Sequence, residues 1–298
     1  MATHTTEAMN EHARGLDALP PRAILSRLLD GQQAAAHAVE AALPAIEKAS
    51  ELAADALRAG KRLVYAGAGS SGLMAMADAL ELPGTYGITR DRIEILFAGG
   101  LDYKSDLPGG PEDDVELARA DAQAAIAEGD CVIAISASGS TPYALGVAAV
   151  AREKGAQLVA IANNAGAPLF EGADVAILLA TPPELVSGST RMGAGTAQKI
   201  ALNMFSTLAA VRLGHVFEGQ MVNLRIDNIK LRQRAVRMVA SIAGLTEVDA
   251  ARFIDEAGGS VKAALLLASG AGDKASAEAL LAGNNDNVRL ALEALRRK

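Results

Sequence analysis

The sequence predicts an α/β protein built on a doubly wound parallel sheet. Five short apolar runs predict strands, and helical patterns separate most of them. Two of these runs end in turns rich in glycine and serine, as ligand loops at the carboxyl ends of parallel strands do. In chain order, the predicted strands span residues 62–66, 93–97, 131–135, 158–162 and 175–179.

The helices and domain boundaries follow from proline, glycine and amphipathic spacing. The pair Pro20-Pro21 precedes an amphipathic stretch to about Gly60, which predicts two helices with a break near Asp30-Gly31. Further helices are expected through Ala79, over 113–128, and from Gly193 to about Leu213. After Lys230 the chain consists of short alanine-rich pieces between glycines, and Thr246 with Asp249 predicts a cap for one of them. We therefore expect an N-terminal helical segment (1–50), an α/β domain (51–231) and a small C-terminal helical domain (232–298).

Composition excludes several classes of function. The 298 residues carry a formal net charge of −7, which argues against nucleic acid or an acidic membrane surface as a partner. One cysteine, Cys131, lies in an apolar strand, so we interpret it as a buried reduced thiol in preference to a nucleophile. A disulfide framework is excluded within the chain, and no secretory signal or long apolar span is evident. A cytoplasmic protein is the expectation.

The turn after the third predicted strand is the most informative stretch. Ser136, Ser138, Ser140 and Thr141 supply hydroxyls, Gly139 tolerates a positive φ, and a helix follows whose first amides point at the turn. The turn has no lysine and lacks the nucleotide P-loop ending, so a small phosphate ester is the better candidate ligand. An ordinary serine- and glycine-rich turn remains the alternative.

A second glycine-rich turn follows the first predicted strand. Gly67–Gly72 has the spacing Gly-x-Gly-x-x-Gly of dinucleotide-binding folds. Such folds also need an acidic residue about twenty residues later, at the end of the next strand, to bind the ribose. The next predicted strand offers only Glu94, which lies inside the strand and not at its end. We therefore interpret Ser70 and Ser71 as hydroxyl donors to a sugar or phosphate oxygen.

Several ordered motifs then carry a family resemblance. They are Thr6-Glu-Ala-Met-Asn10, Gly67–Gly72, Asp78–Gly87, Ala98-Gly-Gly100, Pro111-Glu-Asp-Asp114, Ala137–Tyr143, Gly188–Lys199 and Leu202-Asn-Met204. In these stretches the chain resembles the sugar isomerase (SIS) superfamily and, within it, the N-acetylmuramic acid 6-phosphate etherase family, over nearly its whole length. The resemblance implies a five-stranded parallel SIS sheet, a homodimer with sites near the subunit interface, and chemistry that needs no metal or redox cofactor.

The same resemblance implies the reaction and its two carboxylates. The family cleaves the D-lactyl ether at C3 of N-acetylmuramic acid 6-phosphate, giving N-acetylglucosamine 6-phosphate and D-lactate. Its two glutamates fall here on Glu81, which we assign as the acid that protonates departing lactate, and Glu112, our candidate base at C2. Both adjoin turn residues, and the neighbourhood of Glu81 is mostly apolar. The alternative for Glu112 is a helix N-terminal acidic cluster with Asp113 and Asp114.

Binding residues are carried over in the same way. Ser136, Ser138 and Thr141 match the phosphate loop, which also contains Ser140, and Ser70 and Ser71 match the sugar-contacting turn. Ser189 and Thr190 resemble a third, helix-entry contact, with an ordinary N-cap as the alternative. Arg191 and Lys199 are candidates for added positive charge, with a solvated helix residue as the alternative for Lys199. The role of His215 stays open between a helix-end cap, an interface residue and a ring-opening group.

The sequence departs from the family pattern at three places. The family's arginines in the first and second turns are replaced by Leu73 and Ser140, and its Ser-Glu-Cys-Pro becomes Leu80-Glu-Leu-Pro83. Losing a guanidinium removes a bidentate contact to phosphate or carboxylate that no hydroxyl reproduces. We expect an etherase-like enzyme that has diverged in substrate. A sugar-phosphate isomerase of the same superfamily and a sugar-phosphate-binding regulatory protein are the other hypotheses.

Overall fold

A computed structural model describes residues 5–101 and 109–297 of the chain. Its contacts divide the chain into two compact units. The first comprises the described parts of Met1–Leu80 and Arg90–Ser206, and the second comprises Glu81–Thr89 and the described part of Thr207–Lys298. The predicted division into 1–50, 51–231 and 232–298 stays a prediction.

The first unit contains a five-stranded, wholly parallel sheet in the order β2-β1-β3-β4-β5. The strands are β1 (Leu63–Gly67), β2 (Ile93–Phe97), β3 (Cys131–Ile135), β4 (Gln157–Ala162) and β5 (Val175–Leu178). Each lies within one residue of its predicted position, and the doubly wound parallel fold is confirmed. This strand order places the topological switch point between β1 and β3.

Helices flank this sheet and continue into the second unit. The helices that begin in the first unit are α1 (Pro21–His37), α2 (Leu43–Arg58), α3 (Gly69–Tyr86), α4 (Val115–Ala125), α5 (Pro142–Glu153) and α6 (Gly193–Arg212). The last residues of α3 and α6 belong to the second unit. Alternate strand residues pack against different helices: Val64, Val132 and Leu158 share a core with α4 and α5, whereas α2 contacts β1, β3 and β5.

The predicted helix break near Asp30-Gly31 is wrong. Helix α1 runs through both residues, and the interruption falls at residues 38–42, where a short 3₁₀ helix, Glu40–Ala42, precedes α2. A glycine inside a helix costs only about 1 kcal/mol relative to alanine. The leucines, glutamines and alanines on either side of Gly31 favour the helix enough to outweigh that cost.

The second unit consists of a small hairpin and a helical bundle. The hairpin pairs β6 (Val216–Phe217) with β7 (Gln220–Met221). The helices are α7 (Ile229–Ala243), α8 (Glu247–Glu256), α9 (Val261–Ala268), α10 (Lys274–Ala282) and α11 (Val288–Arg296). As predicted, Thr246 caps α8: its hydroxyl accepts from the Asp249 amide at 3.1 Å and donates to the Asp249 carboxylate at 2.7 Å.

Candidate sugar-phosphate site

The two serine-containing turns emerge side by side at the switch point of the sheet. Strands β1 and β3 are hydrogen-bonded neighbours, and their last residues, Gly67 and Ile135, lie opposite each other in the register. Both turns therefore begin at the same level on the carboxyl edge of the sheet. In open α/β sheets, ligands bind at this place, because the connections on either side diverge there.

Hydroxyl groups organise the turn after β3. The Ser136 Oγ accepts from the Gly139 amide at 3.0 Å and lies 2.7 Å from the Thr141 Oγ1, with which it shares a hydrogen bond. The Ser138 Oγ accepts from the amide and the hydroxyl of Ser140, at 3.1 Å and 3.0 Å. A hydrogen bond of 3.3 Å between the Ser136 and Ser138 hydroxyls joins the two pairs, so the four predicted hydroxyl residues form one connected cluster within six residues of chain.

Glycine at position 139 is required by both conformation and space. Its φ is +71°, and a Cβ there would lie 2.3 Å from the Cβ of Ala167 and 2.9 Å from that of Ala162. The Gly139 carbonyl also accepts from the Leu169 amide at 3.0 Å. The connection after β4 therefore fixes the shape of the serine turn, which is preorganised before any ligand arrives.

The helix that follows presents its first amides to this turn. Helix α5 begins at Pro142, and its N-cap residue Thr141 makes no side-chain hydrogen bond to those amides, since its hydroxyl pairs with Ser136. The positive end of the helix dipole favours an anion at this position. The geometry suits a phosphate better than a neutral group.

The turn after β1 packs tightly against the sheet through two glycines. A Cβ on Gly72 would lie 2.8 Å from the Phe97 ring and 2.9 Å from the Gly67 carbonyl carbon, and a Cβ on Gly67 would lie 3.0 Å from Gly72 Cα. Close strand-to-helix packing thus accounts for the spacing of these two glycines. Ser70, half-buried, and Ser71, buried, lie in the first turn of α3.

A buried carboxylate anchors the part of α3 that lies in the first unit. Asp78 accepts hydrogen bonds from the Tyr65 hydroxyl at 2.9 Å, the Asn203 amide at 2.8 Å and the Ser206 hydroxyl at 2.9 Å. Burial, with the Asp78 charge next, raises the pKa of Tyr65 well above its usual value, so the phenol stays protonated and donates. Strand β1 and helices α3 and α6 are joined by this network.

Glu112 lies against the first turn. It belongs to a short 3₁₀ helix, Gly110–Asp113, and its Oε2 is 3.6 Å from the position that a Cβ on Gly69 would occupy. Gly69 is the first residue of α3, two residues before Ser71. The cap of α4 is Asp114, whose carboxylate accepts from the Leu117 amide at 2.9 Å. The half-buried Glu112 is therefore separate from the helix cap and lies beside the turn that follows β1.

Two asparagines after β4 complete this edge, and the sequence analysis does not single them out. Asn164 donates to the Ser138 carbonyl at 3.2 Å and to the Thr6 hydroxyl at 2.9 Å, and it accepts from the Thr6 amide at 3.3 Å. The neighbouring Asn163 accepts from Gln198 on α6 at 2.9 Å. A polar pair directly after an apolar strand is the signal that could have identified them.

The third predicted loop has a different helix cap from the one expected. The amides of Gly193 and Ala194, which open α6, donate to the Glu184 carboxylate, each at 2.9 Å. Ser189 and Thr190 precede this helix start by four and three residues, respectively, and both are half-buried. Because Glu184 takes the amides, the alternative in which Ser189 or Thr190 is the N-cap is wrong.

Glu81 belongs to the second unit and lies in a different setting from the one expected. The sequence favours a turn at Leu82-Pro83-Gly84, yet α3 continues through these residues to Tyr86. Proline lacks an amide hydrogen but does not end the helix here. Glu81 is exposed while its neighbour Leu82 is buried, which corrects the expectation of an apolar environment around Glu81.

The remaining candidate side chains lie in contrasting environments. Arg191 and Lys199 are exposed, and Leu73 is half-buried on α3. His215 lies in the second unit after Gly214, where burial, followed by the nearby Lys262 charge, lowers its pKa from 6.5 to about 3. A neutral, half-buried imidazole is therefore the form present at neutral pH.

Comparison with known proteins defines first the class of this chain and then its family. The SIS domain family model matches residues 30–163. A structure described as a phosphosugar isomerase involved in capsule formation, from Bacteroides fragilis, is 23% identical with a TM-score of 0.51, covering 66% of this chain and 94% of its own. With its parallel sheet and paired serine turns, the chain is thus a SIS domain protein.

The sequence relatives are more specific. The N-acetylmuramic acid 6-phosphate etherase of Symbiobacterium thermophilum is 44% identical over 88% of this chain and 87% of its own length. Those of Deinococcus radiodurans and Cronobacter sakazakii are 44% and 39% identical, covering 88% and 97% of this chain and 86% and 97% of their own. The chain belongs to the N-acetylmuramic acid 6-phosphate etherase family.

The described residues lack two features. Within 5–101 and 109–297, no helix has the length and apolar character needed to cross a bilayer. The same residues contain no group of three or more histidine, cysteine, aspartate or glutamate side chains that could hold a metal ion.

Proposed function

We infer that this protein is a carbon–oxygen lyase that cleaves the C3 D-lactyl ether of N-acetylmuramic acid 6-phosphate. The observation that carries the inference is the juxtaposition of two serine turns and Glu112 at the switch point of a SIS sheet, in a chain 44% identical to a named etherase over 88% of its length. The products are N-acetylglucosamine 6-phosphate and D-lactate.

Substrate binding is assigned to the two turns. The phosphate lies against the first amides of α5, with hydroxyl donors from Ser136, Ser138, Ser140 and Thr141. The sugar lies along the first turn of α3, with Ser70 and Ser71 as donors, and Ser189 and Thr190 form a third contact. The cluster of hydroxyls at the N-terminus of α5 supports the phosphate assignment.

The reaction needs one base and one acid. In the open-chain aldehyde the C2 proton is acidic, and Glu112 removes it as the electron pair moves toward the carbonyl. The bond between C3 and the ether oxygen then breaks, Glu81 protonates the departing lactate oxygen, and a C2–C3 double bond forms. Water adds its hydroxyl to C3 and a proton returns to C2, so that one water is consumed for each ether cleaved. Glu112 beside Gly69 supports a base close to the sugar.

We also propose that the protein acts as a homodimer. Helix α1 supports this assignment, because Ala35 is the single buried residue along its 17 positions, whereas Leu25 and Leu29 are 66% and 57% exposed. An amphipathic helix with an uncovered apolar side gains free energy by packing against a partner. The cytoplasm is the proposed location, in keeping with the single buried Cys131 thiol.

The replaced family arginines shape the proposed substrate preference. At one position Ser140 offers a hydroxyl in place of a guanidinium, and at the other Leu73 offers no charge. We therefore propose weaker phosphate binding than a turn containing arginine would give, with tolerance for related 3-O-substituted sugar phosphates. A sugar-phosphate isomerase is the second candidate, since it shares C2 proton removal and the SIS fold.

Paired carboxamide variants test the proposal. With N-acetylmuramic acid 6-phosphate as substrate, Glu112→Gln should lower D-lactate release by roughly 100-fold or more, the scale of general acid–base catalysis. Asp113→Asn, at an exposed carboxylate on the same short helix, is the matched control and should retain wild-type turnover. Undiminished turnover in Glu112→Gln would contradict the assignment of Glu112 as the base. The absence of lactate with the wild-type protein would contradict the etherase function.

A further inference from the structure

The helix end that follows Glu81 is held from outside by side chains of the second unit, among them Asn223, Thr207 and His215. Tyr86 is the last residue of α3, five residues after Glu81. The side-chain amide of Asn223 donates to the Tyr86 carbonyl at 2.9 Å, and the Tyr86 hydroxyl shares a hydrogen bond of 2.7 Å with the Thr207 hydroxyl. Both backbone and side chain of Tyr86 are thereby fixed.

The contact between Asn223 and the end of α3 is also sterically tight. Gly87 has φ +66°, and a Cβ there would lie 2.1 Å from the Asn223 carbonyl oxygen and 2.9 Å from its side-chain nitrogen. No side chain fits between the two segments. The chain therefore leaves α3 directly against the backbone of Asn223.

The last turn of α3 needs this support because of Pro83. A proline inside a helix cannot donate a hydrogen bond to the carbonyl four residues earlier, which here is that of Ala79. The missing bond lies in the turn that carries Glu81. External hydrogen bonds to the final residue compensate for a ladder that is weakened at this point.

Asn223 is itself rigidly placed. It follows the β6–β7 hairpin, whose end is closed by a hydrogen bond of 3.0 Å from the Val222 amide to the His215 carbonyl. Its neighbours Val222 and Leu224 belong to the core of the second unit, with 1% and 6% of their surface exposed. The amide of Asn223 is thus presented to Tyr86 from a fixed backbone.

We propose that Asn223 is a positioning residue for Glu81, acting through the Tyr86 carbonyl to set the direction of the helix turn that bears this carboxylate. The proposal rests on the function inferred above, in which Glu81 protonates departing lactate. Proton removal at C2 by Glu112 precedes that step. Misplacing Glu81 should therefore slow lactate release more than it slows exchange of the C2 proton with solvent.

The test compares the two rates in one preparation. Asn223→Asp keeps the size of the side chain and removes the donor, and Asn223→Ala removes the group. In deuterated buffer with N-acetylmuramic acid 6-phosphate, deuterium at C2 of remaining substrate and D-lactate released are both followed. We expect the ratio of exchange to release to rise by about tenfold in both Asn223 variants. Thr207→Val, at an exposed hydroxyl, should raise it by a smaller factor.

A matched control separates positioning from general loss of structure. Asn284 in the same unit also donates its side-chain amide to a backbone carbonyl, that of Leu280 at 2.7 Å. Asn284→Ala should leave the ratio at its wild-type value even if the melting temperature falls. For each variant the melting temperature is measured beside the rates.

Three outcomes overturn the proposal. In the first, exchange and release fall by the same factor in the Asn223 variants; in the second, both stay at wild-type rates; in the third, Asn284→Ala shifts the ratio as much as Asn223→Asp does. Failure of the underlying function looks different, because the wild-type protein would then release no lactate. If the Asn223 variants do not fold, Thr207→Val decides the question by the same ratio.

Discussion

The hydroxyl oxygens of Ser136 and Thr141 lie 2.7 Å apart and join the two ends of the turn that follows β3. Ser136 is the first residue beyond the strand, and Thr141 is the cap position of α5. Their hydrogen bond therefore couples the edge of the sheet to the start of the helix. Because the Thr141 side chain is engaged with Ser136, it does not cap the first turn of α5.

Replacing Ser136 should weaken substrate binding more than it weakens the fold. Ser136→Ala removes the acceptor for the Gly139 amide and the partner of Thr141. A hydrogen bond to a charged group contributes about 1.5–3 kcal/mol, so KM should rise by between about 10-fold and 100-fold with a smaller change in kcat. Steady-state kinetics measure both constants. Ser269→Ala, at a hydroxyl that donates to Leu265 in the second unit, is the control that should leave KM unchanged.

Two glycines in the same region should respond differently to alanine. Gly139→Ala combines an unfavourable φ of +71° with a contact of 2.3 Å to Ala167, whereas Gly166 has φ +68° and nothing within 4 Å of an added Cβ. Gly166→Ala should cost only the conformational strain, about 1–2 kcal/mol. Gly139→Ala should cost clearly more, because packed neighbours must also move. Urea unfolding compares them, and equal losses would contradict the steric argument.

Stability should fall in acid because His215 is buried neutral. Its pKa is lowered from 6.5 to about 3, first by burial and then by the Lys262 charge. The unfolded chain binds a proton below pH 6.5 while the folded chain does so only near pH 3, so stability is lost as pH falls through this window. Between pH 7 and pH 5 the loss is about 2 kcal/mol. His215→Gln should remove that share of the pH dependence. An equal loss of unfolding free energy between pH 7 and pH 5 in the wild type and the variant would refute the assignment to His215.

The Cys131 thiol should be unreactive toward alkylating reagents in the native protein. Burial, followed by the charges of Asp174 and Asp130, raises its pKa to about 12, and the thiol is fully enclosed in β3. Only a thiolate reacts rapidly with iodoacetamide, so the folded protein should remain unmodified at pH 8 and the unfolded protein should react. Mass spectrometry of both states provides the measurement. Rapid labelling of the native protein would show that the thiol is accessible.

The positions of the strands could be predicted from the sequence because their residues are apolar on both faces. Val64 and Tyr65, on opposite faces of β1, are both completely buried, as expected where helices cover a parallel sheet on both sides. Local composition is then sufficient to locate the strand. The same holds for the serine turns, whose residues are consecutive in the chain and whose place follows from the strand ends.

The details that could not be predicted depend on long-range contacts. The pair Pro83-Gly84 favours a turn locally, yet α3 continues to Tyr86, where Asn223 holds it from 137 residues away. Glu184 caps α6 from nine residues before its first residue, so it does not stand at the adjoining position where a capping residue is normally found. Asn164 could have been predicted as a site residue, since it is the second residue after β4. Its partner Thr6 could not, because it lies 158 residues away.

Incubation of the wild-type protein with N-acetylmuramic acid 6-phosphate in deuterated water tests the central claim most directly. The account predicts that D-lactate is released and that the N-acetylglucosamine 6-phosphate formed carries deuterium at C2. Deuterium exchange or aldose–ketose conversion without lactate would identify an isomerase. If neither lactate release nor deuterium exchange is observed, catalysis on this substrate is contradicted altogether.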